Sequence, residues 1–422
     1  MPSVRFLRRG AGCLVMSAVA LAFTGCVELA DMPAPRPPVR PTGNPVVDGN
    51  AERATAPEKD RVLWDYRIAA SAIRAGDFTE AKSKLDDAIA RIGGVISGPD
   101  DAARRARNLF TSEAEKNFIG EPYERVMAYF YRGLLYWRDG QPDNARACFR
   151  SAQFMDGYAA DQVYQSDYVL LDYLDGFASA KLSADGSDAF ARAEKLAKHP
   201  LPPYDPAANV LCFVEFGRGP RKIPGGQYGE RLRFAVTPSR VRSAVLTVGD
   251  QNVHFTPWDN LNFQAVTRGG RVMDYVLGNK AVFKQTTEAV GDLAFAGSAI
   301  AADNIYKEKK RIETLPDGRK REVTEIEKNE GAQNTAIALG VLGIFSKLAS
   351  AATQSQADTR TWENLPQYLS FSALHLPPGE HPAILQFFDG EGHAVETLTR
   401  RLTLTVGDPA HDTVVILSEL NR

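Results

Sequence analysis

This chain of 422 residues is short of the residues and patterns that most often carry chemistry. Its six histidines (His199, His254, His375, His381, His393 and His411) are scattered, and none has a second ligand at helical spacing, so no zinc signature is present. There is no G-x-S-x-G, no phosphate-binding G-x-x-x-x-G-K, no H-E-x-x-H and no C-x-x-C. Gly217-Arg218-Gly219-Pro220 has the look of an anion-binding turn, but Pro220 has no amide to donate and no helix pattern opens there, which leaves a structural turn. These absences argue against an enzyme and predict neither a cofactor nor a metal. A basic excess is missing too: the formal charge is -2, which disfavours nucleic acid as a partner. Apolar runs are short, so no segment predicts a membrane-spanning helix.

Cysteine is equally sparse, with four in all. Cys13 lies in the N-terminal targeting segment, residues 1–25, and Cys26 directly follows it; Cys148 and Cys212 are too few for a disulfide framework. The targeting segment has Arg5, Arg8 and Arg9 as a positive region, then the apolar run Leu14 to Phe23, then Phe23-Thr24-Gly25-Cys26. Small residues before a cysteine resemble a bacterial lipobox, which predicts cleavage after Gly25 and acylation of Cys26. Phe23 stands where leucine is usual. Several acyl chains on one residue would anchor the chain stably. Val27 follows where an inner-membrane retention signal would show aspartate, so the expected location is the outer membrane, facing the periplasm. Loss of residues 1–25 removes three arginines and no acid, taking the charge from -2 to -5.

What is there divides into three textures. Residues 26–58 carry seven prolines and little to bury, and read as an extended tether reaching roughly 90 Å at about 3.1 Å per residue. Residues 59–200 are helical and repetitive. Gly133, Tyr136, Gly140, Ala145, Phe149 and Ala152 fall at tetratricopeptide spacing, and the same frame finds Ala69, Ala72, Gly76, Ala81, Leu85 and Ala88. Phe177, Phe190 and Ala193 form a weaker third copy, and Ala102 to Lys116 reads as an extra helix. Residues 201–422 are rich in Val, Leu, Phe and Thr between turn residues, predicting strands at 208–216, 231–248, 382–389, 396–406 and 412–418. Helical runs near 260–306 and 329–353 interrupt them, joined by a charged ribbon over 307–330 that turns at Leu315-Pro316-Asp317-Gly318. The expected fold is α+β and multidomain. An N-terminal tetratricopeptide-like helical array would precede an antiparallel β domain holding a helical hairpin over 281–353.

Three features invite a role. In the hairpin, Ala294, Ser298 and Ala302, and also Ala336 and Gly340, make small-residue ridges, suited to a packed soluble hairpin, to self-association or to a membrane contact. Thr335 to Phe345 is too short to cross a bilayer. Glu121, Tyr123, Glu124 and Arg125 begin helix A of the best repeat; they suit either recognition of a partner peptide or a capping and ion-pair network. Arg360 and Trp362 suit an anchor between the hairpin and the β domain.

These residues together resemble a family of bacterial tetratricopeptide lipoproteins with no assigned enzymatic activity. The resemblance rests on the lipobox, the run Phe118-Ile119-Gly120-Glu121-Pro122-Tyr123-Glu124-Arg125-Val126-Met127, the small-residue hairpin, Asp358-x-Arg360-x-Trp362-x-x-Leu365-Pro366 and Leu376-Pro377-Pro378-Gly379-Glu380-His381. It covers most of the mature chain and departs around Gly217 and in the ribbon. It implies a place in the cell envelope beside lipoproteins that assist outer-membrane or cell-wall assembly. The expected function is a protein-binding scaffold whose helical groove recruits envelope proteins or peptides. Self-association through the 281–353 hairpin, as an assembly or pore-associated component, is the alternative.

Overall fold

The structure is a computed structural model that describes residues 41–97, 116–157, 166–226, 231–235, 237, 239–267, 306–314, 320–328, 357–408 and 411–420. The targeting segment with Cys26, the extra helix after Ala102, and the hairpin runs with their small-residue ridges lie outside these residues. All described residues belong to one compact unit, Val39–Arg422.

Helices come first. α1 (Pro45–Thr55) occupies sequence expected to be extended tether. The prolines misled: Pro45 sits at the first helical turn, where its missing N–H costs nothing, and Pro57 lies just past the end. Asn44 caps α1 by accepting from Val46 and Val47. α1 lies so close to the next helix that a Cβ on Gly49 would come within 2.8 Å of Ile68 Cγ1.

Three antiparallel helix pairs follow: α2 (Arg61–Ala75) with α3 (Phe78–Ser97), α4 (Pro122–Arg138) with α5 (Pro142–Asp156), and α6 (Val169–Lys181) with α7 (Ser187–Leu196). α3 packs on α4 and α5 on α6, which stacks the pairs in chain order. Gly76 and Gly140 turn the first two pairs at φ +79° and +74°, a left-handed geometry that glycine adopts without a Cβ clash. Ala69, Ala72, Ala81, Leu85 and Ala88, and likewise Ala145, Phe149 and Ala152, are buried where the repeat spacing puts them.

The strands build two four-stranded sheets. One has the order β12-β1-β9-β6, from β1 (Val210–Arg218), β6 (Asp259–Asn260), β9 (Pro366–Leu374) and β12 (Thr413–Ser418). The other has the order β11-β10-β4-β5, from β4 (Val241–Val248), β5 (Gln251–Phe255), β10 (Gly379–Asp389) and β11 (Arg400–Val406). All pairings are antiparallel except β1 with β12. β2 (Arg221–Gly225) with β3 (Arg231–Ala235), and β7 (Tyr306–Thr314) with β8 (Lys320–Lys328), form separate two-stranded sheets. A short helix, α8 (Leu261–Val266), follows β6.

Alternation along the strands explains the layering. On β1, Val210, Cys212, Val214 and Phe216 face the second sheet, while Leu211 and Phe213 join the core of the helices. β12 divides in the same way, with Val415 and Leu417 on one side and Val414 and Ile416 on the other. The first sheet is therefore a middle layer, with helices on one face and a sandwich partner on the other. Burial on both faces is why β1 reads as an almost unbroken apolar run. The helical array and the β part expected to begin at 201 are consequently not independent cores. Phe213, Phe371, Leu369 and Trp362 complete the core that α2, α4 and α6 begin, each large side chain contributing about 1.5–3 kcal/mol. Fourteen residues of the seventeen in α4 are buried, so that helix has no open face to form a groove. Among the described residues, no helix is long and apolar enough to cross a membrane.

Candidate functional site

The residues singled out in the sequence converge at the start of α4. Glu121 lies at its N-cap and Pro122 in its first turn; Glu124, three residues on, turns its carboxylate back to accept from the Glu121 N–H at 2.7 Å. The same carboxylate accepts from the Trp362 N–H at 2.8 Å and from Lys222 Nζ at 2.5 Å. Lys222, on β2, also donates to the Arg360 carbonyl at 2.8 Å, and its main-chain N–H donates to Thr361 Oγ1. The Glu124 and Lys222 side chains are 0% and 1% exposed, so each charge depends on the other.

Around this pair the loop 358–362 is fixed to the helices. Trp362 stacks on Tyr66 of α2 with ring centroids 4.3 Å apart and an interplanar angle of 16°. Arg360 bonds Asp358, Asp60 and the Lys116 carbonyl, and its guanidinium lies 5.4 Å from the Phe118 ring centre, with Lys222 Nζ 5.0 Å from the same ring. Arg125 donates to the Gly120 carbonyl, and Tyr123 packs edge-on to Phe234. Burial holds the Tyr123 phenol well above the usual tyrosine range.

The expectation that Glu121, Tyr123, Glu124 and Arg125 line an open groove is therefore corrected. All four are buried, and the capping and ion-pair network left open by the sequence is the arrangement found. Arg360 and Trp362 do anchor: Arg360 bonds Asp60 just before α2, and Trp362 bonds Glu124 of α4 and stacks on Tyr66 of α2, while the hairpin side of the expected anchor lies outside the described residues. Among the described residues, Glu124, Lys222, Arg125 and Arg360 each meet an opposite charge or a main-chain dipole here, so the centre acts as a clamp.

Two further buried carboxylates gave no motif. Glu215 of β1 bonds Arg74 of α2 at 2.7 Å and Tyr131 of α4 at 2.5 Å, tying the middle sheet to two helices. Its only trace in the sequence is a carboxylate inside the apolar run Val210 to Phe216, where isolation would be costly. Asp259 of β6 accepts from the Val169 and Leu170 N–H groups at 2.9 Å each, capping α6 from another part of the chain. Burial pushes its pKa up to about 7, against the two amide bonds that lower it. Asp167 and Asp156 add to the rise.

Glu124 and Asp259 share a consequence. Asp259 fixes the chain just before it leaves through α8 into residues 268–356, and Glu124 fixes it just after it returns at 357. α8 also packs against α4, so both ends of this long insertion, with the β7–β8 ribbon inside it, are rooted beside one helix.

On the far side of the sandwich, β5 and β9 diverge into an open cleft of about 670 Å³, lined by Asp205, Gln251 to His254 and Ser372 to His375. Among the described residues, no group of three His, Cys, Asp or Glu side chains is placed to hold a metal ion. No family model matches the chain, and comparison with curated proteins and with solved structures finds no relative.

Proposed function

We propose that the chain is a protein-binding scaffold of the bacterial envelope, held by acylated Cys26 at the periplasmic face of the outer membrane. The observation that carries this reading is the rooting of the insertion: buried carboxylates at residues 124 and 259 clamp its two ends to a three-layer body. Such a body suits presentation of an element to a partner more than turnover of a substrate. The repeat frame falls on the pairs α2–α3 and α4–α5, which supports a tetratricopeptide-like origin for the array. Its inner side is taken up by the first sheet, so partner contact moves from the groove to the displayed ribbon. The strand register places Lys307 opposite Glu327, Lys309 opposite Glu325 and Glu313 opposite Arg321, so the sequence sets residues of opposite charge at facing positions of the ribbon.

The test is crosslinking of the full lipoprotein in intact cells, beside a variant whose residues 306–328 are replaced by a glycine-serine linker. We expect the variant to keep the thermal unfolding of the body and to lose the envelope proteins captured by the native chain. Capture of the same proteins without the ribbon would end the display reading. A second reading is favoured by the outer edges of β7 and β8, which pair with no other strand among the described residues. Copies would then join through their ribbons, and a mass well above one chain, lost with the ribbon, would establish it.

A further inference from the structure

The cleft between β5 and β9 has features that the ribbon does not. Its floor is the crossing of the chain from one sheet to the other. β5 pairs with β4 in the second sheet, then residues 256–260 pass to the first sheet and meet β9. There the Trp258 N–H donates to the Leu369 carbonyl, and Ser370 Oγ donates to the Thr256 carbonyl at 2.6 Å. Pro257 has no N–H and the ladder along β9 stops. Beyond it, β9 runs on from Phe371 to Leu374, and among the described residues no strand lies on its outer side.

Hydrogen-bond parity shows which groups face that side. The Glu215 carbonyl accepts from the Glu419 N–H and the Gly217 N–H donates to the Glu419 carboxylate, so odd residues of β1 bond toward β12 and even residues toward β9. In the antiparallel register, Cys212 meets Ser372 and Val214 meets Ser370, so even residues of β9 bond to β1. Phe371 and Ala373 therefore turn their main-chain N–H and C=O groups away from β1, as the Leu369 carbonyl does toward Trp258, and of the two Ala373 lines the cleft while the Phe371 side chain is buried.

Open edges are normally guarded by charge, proline, bulges or covering elements. At the opposite end of the second sheet, β11 begins with Arg400 and Arg401, and Arg400 reaches the Glu419 carbonyl beside β12. β12 itself is flanked by α2 and α4. β5 and the end of β9 carry no Lys, Arg, Glu or Pro from Gln251 to Phe255 or from Phe371 to Leu374. The one carboxylate in the cleft wall is Asp205, which is exposed, and no lysine or arginine lines the cleft.

We propose that this cleft takes an extended segment of a partner protein, added as a strand along β9, with a basic side chain of that segment set beside Asp205. The volume lies within the range of about 300–1,000 Å³ typical of binding pockets. Main-chain pairing supplies affinity in such additions, and the flanking side chains supply preference. The same edge of a second copy carries no lysine or arginine and so offers Asp205 no counter-charge. The stretch Pro33 to Pro41 of this chain lacks the amides a ladder needs. The inference rests on the scaffold reading and gives it a second contact surface, independent of the ribbon.

The probe is a short synthetic peptide of alternating threonine and valine with one central lysine, added to the whole chain and followed by amide hydrogen exchange. In the free protein we expect Phe371 and Ala373 to exchange quickly and Ser370 and Ser372 slowly. Peptide at about ten times its dissociation constant is expected to slow Phe371 and Ala373 about tenfold. The same peptide N-methylated at alternate amides is expected to have no effect. Asp205→Asn keeps the turn that the residue accepts from the Ala207 N–H, and is expected to weaken the lysine peptide about two- to fivefold, the range of an exposed ion pair. Phe371 and Ala373 already protected without peptide would overturn the proposal, showing an edge filled by this chain or, if protection grows with concentration, by a second copy. Fast exchange at saturating peptide would overturn it too. Capture of the same envelope proteins without the ribbon, with the peptide effect intact, would end the display reading and leave the cleft standing.

Discussion

Glu124 and Lys222 are each shielded from water and answer to each other, so the cost of breaking the pair falls on the survivor. Glu124→Gln leaves an ammonium buried without a counter-charge and is expected to destabilise the chain by about 3–5 kcal/mol in denaturant titration. Adding Lys222→Met should recover most of that loss, because an apolar pair of similar shape carries no desolvation penalty; additive losses in the double variant would show the pair is not coupled. Asp259 makes stability depend on pH. Its folded pKa of about 7 lies above the ordinary 3.8, so the folded state holds its proton longer than the unfolded chain does. That contribution is complete below pH 4 and is lost as pH rises toward and past 7. Asp259→Asn should therefore flatten the fall in melting temperature between pH 5 and pH 8, and an unchanged slope would remove Asp259 as its source. At this scale the sequence was half legible. The spacing of Glu121 and Glu124 named a capping network, but nothing local marks Lys222 as its partner 98 residues away. A pattern read in one dimension has no access to such a pairing.

Helices were the most legible elements, because small residues at fixed intervals record where two backbones approach. A Cβ on Gly133 would lie 2.6 Å from Phe149 Cε1, whereas one on Gly93 meets nothing within 4 Å. Gly133→Ala is expected to cost about 1–3 kcal/mol through overpacking between α4 and α5. Gly93→Ala, inside α3, is expected to stabilise by about 0.5–1 kcal/mol, since alanine restricts the unfolded chain and suits a helix. Equal effects of the two changes on the melting temperature would mean that the close approach at Gly133 is not tight. Among strands, β1 and β10 stood out through apolar content, while β5, Gln251 to Phe255, carries two amides and a histidine and was not foreseen. An edge strand with one wet side has little hydrophobic signal to give. α1 was hidden for another reason: proline density dominated the reading, although the position of Pro45 at a helix start is permissive.

At the scale of the whole molecule, the textures on either side of residue 200 suggest two domains, and each texture is real. Missing from the sequence is the second use of β1, β9 and β12, whose alternate side chains turn outward to finish the helical core. The side of the array predicted to form a peptide groove is thereby filled by the chain's own middle sheet. The shared core has a consequence for unfolding. Cys148 belongs to α5, in the helical layer, and Cys212 lies between the two sheets, so the two thiols report on different layers of one body. Burial raises their pKa values to about 11 and about 12, which keeps both slow toward thiol reagents in the folded state. If the layers depend on a common core, the two cysteines should become reactive at one denaturant concentration, matching the loss of helical circular dichroism. Two separated midpoints, with Cys148 exposed while Cys212 stays protected or the reverse, would show that Phe213, Phe371 and Trp362 do not couple the layers. A single midpoint that divides into two in Trp362→Ala would locate the coupling at the stacked contact with Tyr66, where the return of the insertion is clamped to the helices.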